Sequence, residues 1–213
     1  MSHYFDNTPE VTSDEIVVEV GLAQVAFTMA TDRGVFSHGH LDTATGLLLR
    51  EAPAPPATGN LLDLGCGSGA IALTMALRSP AAVVWAVDVN TRARHLTAAN
   101  AERNNVTNIR VSSPDAVPTD VRFEAIWSNP PIRIGKQALH ELLLGWLGRL
   151  TDHGQATLVV QKHLGADSLQ AWLTAQGYPT ERVASKAGFR LLRTQHPTEP
   201  HAQQSPGWVD GDS

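Results

Sequence analysis

A strand that runs into a glycine-rich turn and out into a helix, followed by strict alternation of strands and helices, restricts this chain to very few architectures. From Asn60, NLLDLG reads as a short buried strand and SGAIALTMALRS as a helix. AAVVWAVDV and TRARHLTAANAERNN repeat the pair, and NIRVSS and VRFEAIWSN add two strands. GKQALHELLLGWLGRL is amphipathic, with Leu139, Leu142, Leu143, Trp146 and Leu150 on one face. QATLVVQK, ADSLQAWLTAQ, TERVAS and FRLLRTQ complete the series, the last two joined by a Lys186-Ala187-Gly188 turn. Such alternation predicts an α/β, doubly wound, mostly parallel sheet with helices on both faces. The closing hairpin requires at least one antiparallel strand at that end.

Before this core, Val20, Leu22, Val25, Phe27 and Met29 recur at strand spacing. Asp32-Arg33-Gly34 is a turn signal followed by Val35-Phe36, so a small N-terminal β-hairpin is expected there. Asp42 then precedes TATGLLLREA as an acidic helix cap. The expected divisions are an acidic flexible N-terminus (1–16), a hairpin-and-helix leader (17–50), a Pro-rich linker EAPAPPATG (51–59), the core (60–195) and a disordered Pro/Gln/Ser/Gly-rich tail (196–213).

Of the 213 residues, 42% are hydrophobic and 17% charged, which supports a real core and excludes wholesale disorder. A single cysteine, Cys66, excludes an internal disulfide and a cysteine-rich zinc site. No apolar run is long enough for a membrane span, and the polar, acidic start is unlike a signal or transit peptide, so a cytoplasmic protein is expected. The net charge of −5 is concentrated at the ends, which carry eight acids and no Lys or Arg; residues 20–195 hold 16 basic against 13 acidic residues. A mildly basic body permits a structured anion such as RNA as partner.

The Gly65, Gly67 and Gly69 of DLGCGSG allow a tight turn and close approach of a ligand to the N–H groups that open the next helix. With Ala70 the loop also satisfies the dinucleotide pattern, so a nicotinamide-dependent oxidoreductase stays open at this point. Asp88 ends the second core strand, where a carboxylate can accept both hydroxyls of a ribose. Asp115, after the third strand, is placed to accept from an adenine amino group.

Ser128-Asn129-Pro130-Pro131-Ile132 follows the fourth core strand, at the sheet edge where ligands bind. Two prolines remove two N–H donors and fix two φ angles, leaving a stiff corner that presents the Asn129 side-chain oxygen and the Pro130 carbonyl. Two such acceptors can grip an NH2 group by both hydrogens and draw a delocalised nitrogen toward tetrahedral geometry. Its lone pair can then meet an electrophilic methyl, and catalysis is mostly positioning and electrostatics.

Taken together, DLGCGSG, AVDVN and SNPPI resemble the cofactor loop, ribose acid and amino-methylating motif of class I S-adenosylmethionine-dependent methyltransferases. GVFSHGHLDTATGLLL resembles the GVFS…D-x-G-T…LL segment of the small-domain branch, which includes ribosomal RNA guanine-N2 methyltransferases and archaeal relatives; the resemblance spans about residues 17–195. It implies a seven-stranded Rossmann-like sheet and a cofactor site of Asp63, Gly65, Cys66, Gly67, Gly69, Asp88, Asp115 and Asn129. It also implies a catalytic corner of Asn129, Pro130, Pro131 and Ile132. Phe36 and Ser37 would cover the cofactor or target. Apart from the resemblance, Lys162 and His163 follow the fifth core strand on the ligand edge and, with Arg133 and Lys136, are placed to contact phosphates. Ile132 stands where many amino-methyltransferases carry Tyr or Phe, so it supplies apolar contact without base stacking, worth about 1–3 kcal/mol.

The implied activity is methylation of an exocyclic amine, guanine N2 of ribosomal RNA first. A protein glutamine methyltransferase uses the same corner, and a non-catalytic cofactor-binding subunit is the alternative outside catalysis. His38 and His40 have H-x-H spacing but no further ligands at motif spacing, so no metal is expected.

Overall fold

The apolar runs at Leu61, Val84 and Ile126 form neighbouring parallel strands, because residues alternating along each must face cores on both sides of one sheet. A computed structural model describes residues 12–35 and 38–197. In chain order the elements are β1 (Ile16–Gly21), β2 (Ala26–Thr31), α1 (Thr43–Glu51), β3 (Asn60–Leu64), α2 (Ala70–Arg78), β4 (Val83–Val87), α3 (Thr91–Arg103), β5 (Ile109–Ser112), β6 (Phe123–Ser128), α4 (Lys136–Leu147), β7 (Leu150–Gln161), α5 (Ala166–Ala175), β8 (Thr180–Lys186) and β9 (Phe189–Gln195). The main sheet has seven strands in the order β5-β4-β3-β6-β7-β9-β8. β5 through β7 are parallel, whereas β9 runs antiparallel between β7 and β8. This is the doubly wound Rossmann-like sheet expected, with its antiparallel C-terminal hairpin.

Residue alternation sends Leu61, Val84 and Trp127 to one face with Leu48 of α1 and Ile71 and Leu73 of α2. Leu62, Trp85 and Ile126 face the other way, onto Leu143 and Trp146 of α4 and Leu169 of α5. Two readings of local structure need correction. Leu150 belongs to β7, not to the preceding helix, which stops at Leu147 before Gly148. The N-terminal hairpin turns at Leu22–Val25, where the Leu22 N–H donates to the Val25 carbonyl at 2.9 Å, and not at Asp32-Arg33-Gly34. The latter turn instead leads β2 out of the hairpin toward the sheet.

The hairpin is tied to α3 by side-chain amides. Asn100 accepts from the Ala30 N–H at 2.7 Å and donates to the Ala30 carbonyl at 2.8 Å. Asn104 repeats both bonds with Thr28, at 3.1 and 2.7 Å. Four residues of helix rise about 6.0 Å and two residues of strand about 6.6 Å, so amides at i and i+4 match backbone groups at j and j−2. The buried Asn100 also donates to the Ser68 carbonyl at 2.9 Å, which joins the leader to the glycine loop.

Candidate active site

Strand order reverses between β3 and β6: the chain leaves β3 toward β4 and β5, then returns to β6 on its other side. In open α/β sheets the crevice at such a reversal receives the ligand. The two motifs read from the sequence meet there. Asp63 pairs with Trp127 across β3 and β6, so the glycine loop and the Asn-Pro-Pro corner leave the sheet side by side. The buried Ser128 hydroxyl donates to the Leu64 carbonyl at 2.7 Å and fastens the two exits together.

A cleft of about 990 Å³, including its open mouth, is lined by Gly65, Cys66, Gly67, Asp88, Asn129 and Pro131. Its walls add Leu142 of α4, Pro114, and from the leader Met29, Val35, His40, Leu41, Asp42 and Thr45. Gly65 and Gly67 have φ of +79° and +54°, and a Cβ on either would meet no protein atom within 4 Å. Those two positions therefore offer backbone to a ligand. Gly69 differs: it lies off the cleft wall, and a Cβ there would come within 3.0 Å of the Thr97 side chain. Its lack of a side chain serves the packing of the loop against α3.

Asp88 accepts from the Gly67 N–H at 3.0 Å through one oxygen and from the Asn90 N–H at 2.8 Å through the other. Each carboxylate oxygen keeps a further lone pair for a ribose hydroxyl. Burial lifts this carboxyl above its ordinary range, against the pull of the two amides. Asp63 is fully buried and accepts from the Ala72 N–H at 2.9 Å, which caps the first turn of α2. Its other oxygen, Oδ1, and the Ser68 hydroxyl are buried with no partner among the described residues. Open backbone at two glycines, a ribose acceptor and unsatisfied polar atoms beneath the loop fit a nucleoside-linked amino acid such as S-adenosylmethionine.

Burial pushes the Asp63 carboxyl up to about 8, partly opposed by the Ala72 amide and reinforced by the Asp88 charge. The folded chain thus holds a proton that an unfolded aspartic acid releases near pH 4. The stability this group contributes is complete below about pH 4 and is lost as pH rises to about 8. Asp63→Asn keeps the acceptor for Ala72 and cannot ionise. Between pH 5 and pH 8 the urea midpoint of the parent chain should fall relative to that of Asp63→Asn. Parallel midpoints would exclude the buried acid as a source of pH dependence.

Asn129 donates through Nδ2 to Asp42 Oδ2 at 3.0 Å and to Thr45 Oγ1 at 3.2 Å. Both amide hydrogens are engaged, and Oδ1 has no partner among the described residues. The Pro130 carbonyl is less free than the sequence suggests. It accepts from the Ile132 N–H at 2.8 Å across Pro131 (φ −75°, ψ 73°), an inverse γ-turn that uses one of its two lone pairs. Pro130 is buried and does not line the cleft, and Ile132 packs against the core below rather than into it.

Asp115 also departs from its expected place. It is exposed in the short 3-10 turn Pro114–Ala116, where Pro114 reaches the wall instead. Cys66 is buried in the loop beside Thr97, whose hydroxyl lies 3.4 Å from its sulfur. Burial pushes its thiol well above the ordinary range, so it lines the cleft without thiolate chemistry. Arg133, Lys136 and Lys162 are exposed and outside the cleft wall. Phe36 and Ser37 lie outside the described residues, as do Met1–Val11 and Thr198–Ser213. Among the described residues no group of His, Cys, Asp or Glu is arranged to hold a metal ion, and no helix is long and apolar enough to cross a membrane.

Sequence reasoning gave the leader Phe36 and Ser37 but missed the share that Asp42 and Thr45 take in this site. Asp42 was legible as a helix cap, and it does accept from the Thr45 N–H at 2.8 Å. Nothing in local sequence shows that the same oxygen holds a side chain 87 residues away. The available signal was the likeness of Asp42-Thr43-Ala44-Thr45 to the D-x-G-T pattern, with Ala44 in the place of its glycine.

Known proteins resemble this chain in sequence and in fold. The sequence model of the methyltransferase small domain matches residues 26–193. The uncharacterized protein YbxB of Bacillus subtilis is 32% identical over 196 residues, covering 91% of this chain and 98% of its own length. A ribosomal RNA small subunit methyltransferase C of Pseudoalteromonas atlantica is 31% identical over 159 residues, covering 73% of this chain. The chain spans only about half the length of the methyltransferase C relatives, 46% in that case. Among solved structures, the 16S rRNA N2 G1207 methyltransferase RsmC of T. thermophilus, in complex with AdoMet and guanosine, superposes with a TM-score of 0.73 at 23% identity. That likeness of fold covers 88% of this chain and 52% of the other. With the family's sequence model running from β2 into β9 and its cofactor fitting the cleft, the chain belongs to the methyltransferase small domain family and is an S-adenosylmethionine-dependent methyltransferase.

Proposed function

We propose that this chain methylates an exocyclic amine of ribosomal RNA, guanine N2 first among them. One observation carries the reading: Asn129 opens onto the same cleft as the glycine loop with both amide hydrogens engaged. Its Oδ1 therefore faces a substrate as an acceptor, which suits an NH2 group and disfavours a carbonyl. The names of the methyltransferase C relatives and the guanosine in the T. thermophilus complex support this choice.

S-adenosylmethionine, when bound, supplies a methyl group made electrophilic by a sulfonium. Gly65 and Gly67 would leave room for it, Asp88 would accept its ribose hydroxyls, and Met29 and Leu142 would line it with apolar surface. Asn129 Oδ1 would accept from the amine and turn the nitrogen lone pair toward the methyl. No base is needed beforehand, because the nitrogen proton becomes acidic once the nitrogen turns cationic and then leaves to water. A base within a duplex must be flipped out to reach this corner. Arg133, Lys136 and Lys162 are exposed cations suited to contacting backbone phosphates.

The test is nucleoside mass spectrometry of small-subunit ribosomal RNA after incubation with the chain and labelled S-adenosylmethionine. Label in N2-methylguanosine is the expected result. Label in protein, with none in any nucleoside, would move the substrate class to a side-chain amide. Label in neither would refute the reading.

A further inference from the structure

We propose that Asp42 is a positioning residue for methyl transfer, deciding which end of the Asn129 amide faces the cleft, with Thr45 as its helper. The inference rests on the N-methyltransferase reading above. A primary amide is nearly symmetric in shape, so packing alone does not distinguish its oxygen from its nitrogen. Catalysis does: with the oxygen toward the substrate amine the pair attracts, and with the nitrogen toward it two donors collide. Something must break the symmetry.

Thr45 cannot do so alone, because a hydroxyl either donates or accepts. Asp42 can. An ionised carboxylate only accepts, so an Asn129 turned the other way would set its own oxygen against Asp42 Oδ2 at the 3.0 Å now spanned by a hydrogen bond. The anion also polarises the amide and strengthens Oδ1 as an acceptor. Asp42 is itself held, since Oδ2 also accepts from the Thr45 N–H at 2.8 Å as the cap of α1. Helix α1 is anchored in turn by its buried Leu47, Leu48 and Leu49. A residue noted for local helix geometry thus fixes the orientation of a group on the far side of the cleft.

Asp42→Asn separates the two roles. Asparagine caps helices about as well as aspartate, so α1 should survive. Its amide can donate as well as accept, so the selection at Asn129 is lost. Turnover on small-subunit ribosomal RNA should fall about tenfold to 100-fold, the range for losing a hydrogen bond to a charged group. S-adenosylmethionine affinity and Tm should stay near parental values. Thr45→Val should cost only a few-fold, and Thr45→Ser should restore it.

A second measurement needs no substrate. In the parent chain the two Asn129 side-chain NH2 protons should be protected from exchange, and Asp42→Asn should remove that protection. Full turnover in Asp42→Asn beside an inactive Asn129→Ala would overturn the positioning role and leave the methyltransferase reading intact. Full turnover in both would overturn that reading. Unprotected Asn129 protons in the parent, or losses of Tm and cofactor affinity that match the loss of turnover, would also overturn the positioning role.

Discussion

Asn129→Ala should lower kcat by about 100- to 1000-fold, the usual cost of removing one preorganised hydrogen-bond group from a transition state. Affinity for S-adenosylmethionine should remain within about twofold. The expectation follows from where the side chain is tied. Its Nδ2 is held by Asp42 and Thr45 of the leader, whereas the cofactor determinants are Gly65, Gly67 and Asp88 on other elements. Removing the amide leaves the fold and the glycine loop in place and deletes only an acceptor for the substrate amine. Calorimetric titration with S-adenosylmethionine, beside methyl incorporation into RNA, measures both quantities. Loss of cofactor binding in proportion to turnover would show that Asn129 belongs to the cofactor site instead. Unchanged turnover would place the chemistry away from this corner.

The largest loss of stability should come from Asn100→Leu. The substitution keeps roughly the same bulk on α3 while stripping three backbone groups of their partner: the Ala30 N–H, the Ala30 carbonyl and the Ser68 carbonyl. Asn100 is fully buried, so water cannot replace those bonds without opening the packing. At about 1–3 kcal/mol for each buried group left unsatisfied, a total of roughly 3–5 kcal/mol is reasonable for three adjacent groups that relax together. For a chain of this length that is a fall in Tm of roughly 6–20 °C. Asn104→Leu, at a partly exposed site with two such bonds to Thr28, should cost less than half as much. Thermal unfolding of the two variants distinguishes the ladder from generic packing, since equal effects would mean that burial of the polar groups is irrelevant.

Much of the fold was legible because each core strand carries its own evidence. β3, β4 and β6 are apolar on both faces and bounded by turn residues, as buried parallel strands must be. The site's two halves were legible for the same reason: each lies directly after a strand, at positions that sequence spacing fixes. The rest is long-range. Leu22–Val25 contains no glycine, proline, aspartate or asparagine, so the true hairpin turn carries no signal, whereas Asp32-Arg33-Gly34 does and is a turn of another kind. Asn100 and Asn104 look like ordinary polar helix positions until β2 is laid beside them. Asp115 follows a strand as a ligand acid would, yet the 3-10 turn directs Pro114, not the carboxylate, to the wall. Pro130 looks like a free acceptor in the sequence, because a string of residues does not reveal that its carbonyl closes a γ-turn onto Ile132.

The amide ladder from α3 has one more effect. Thr28 and Ala30 expose their backbone on the side of β2 that faces away from β1, the kind of unfinished border that a foreign strand could extend. Asn100 and Asn104 occupy that border with side chains rated for the same bonds but unable to propagate them. The leader is in this way sealed against templated growth on that side, by a helix that a neighbouring molecule would have to displace first.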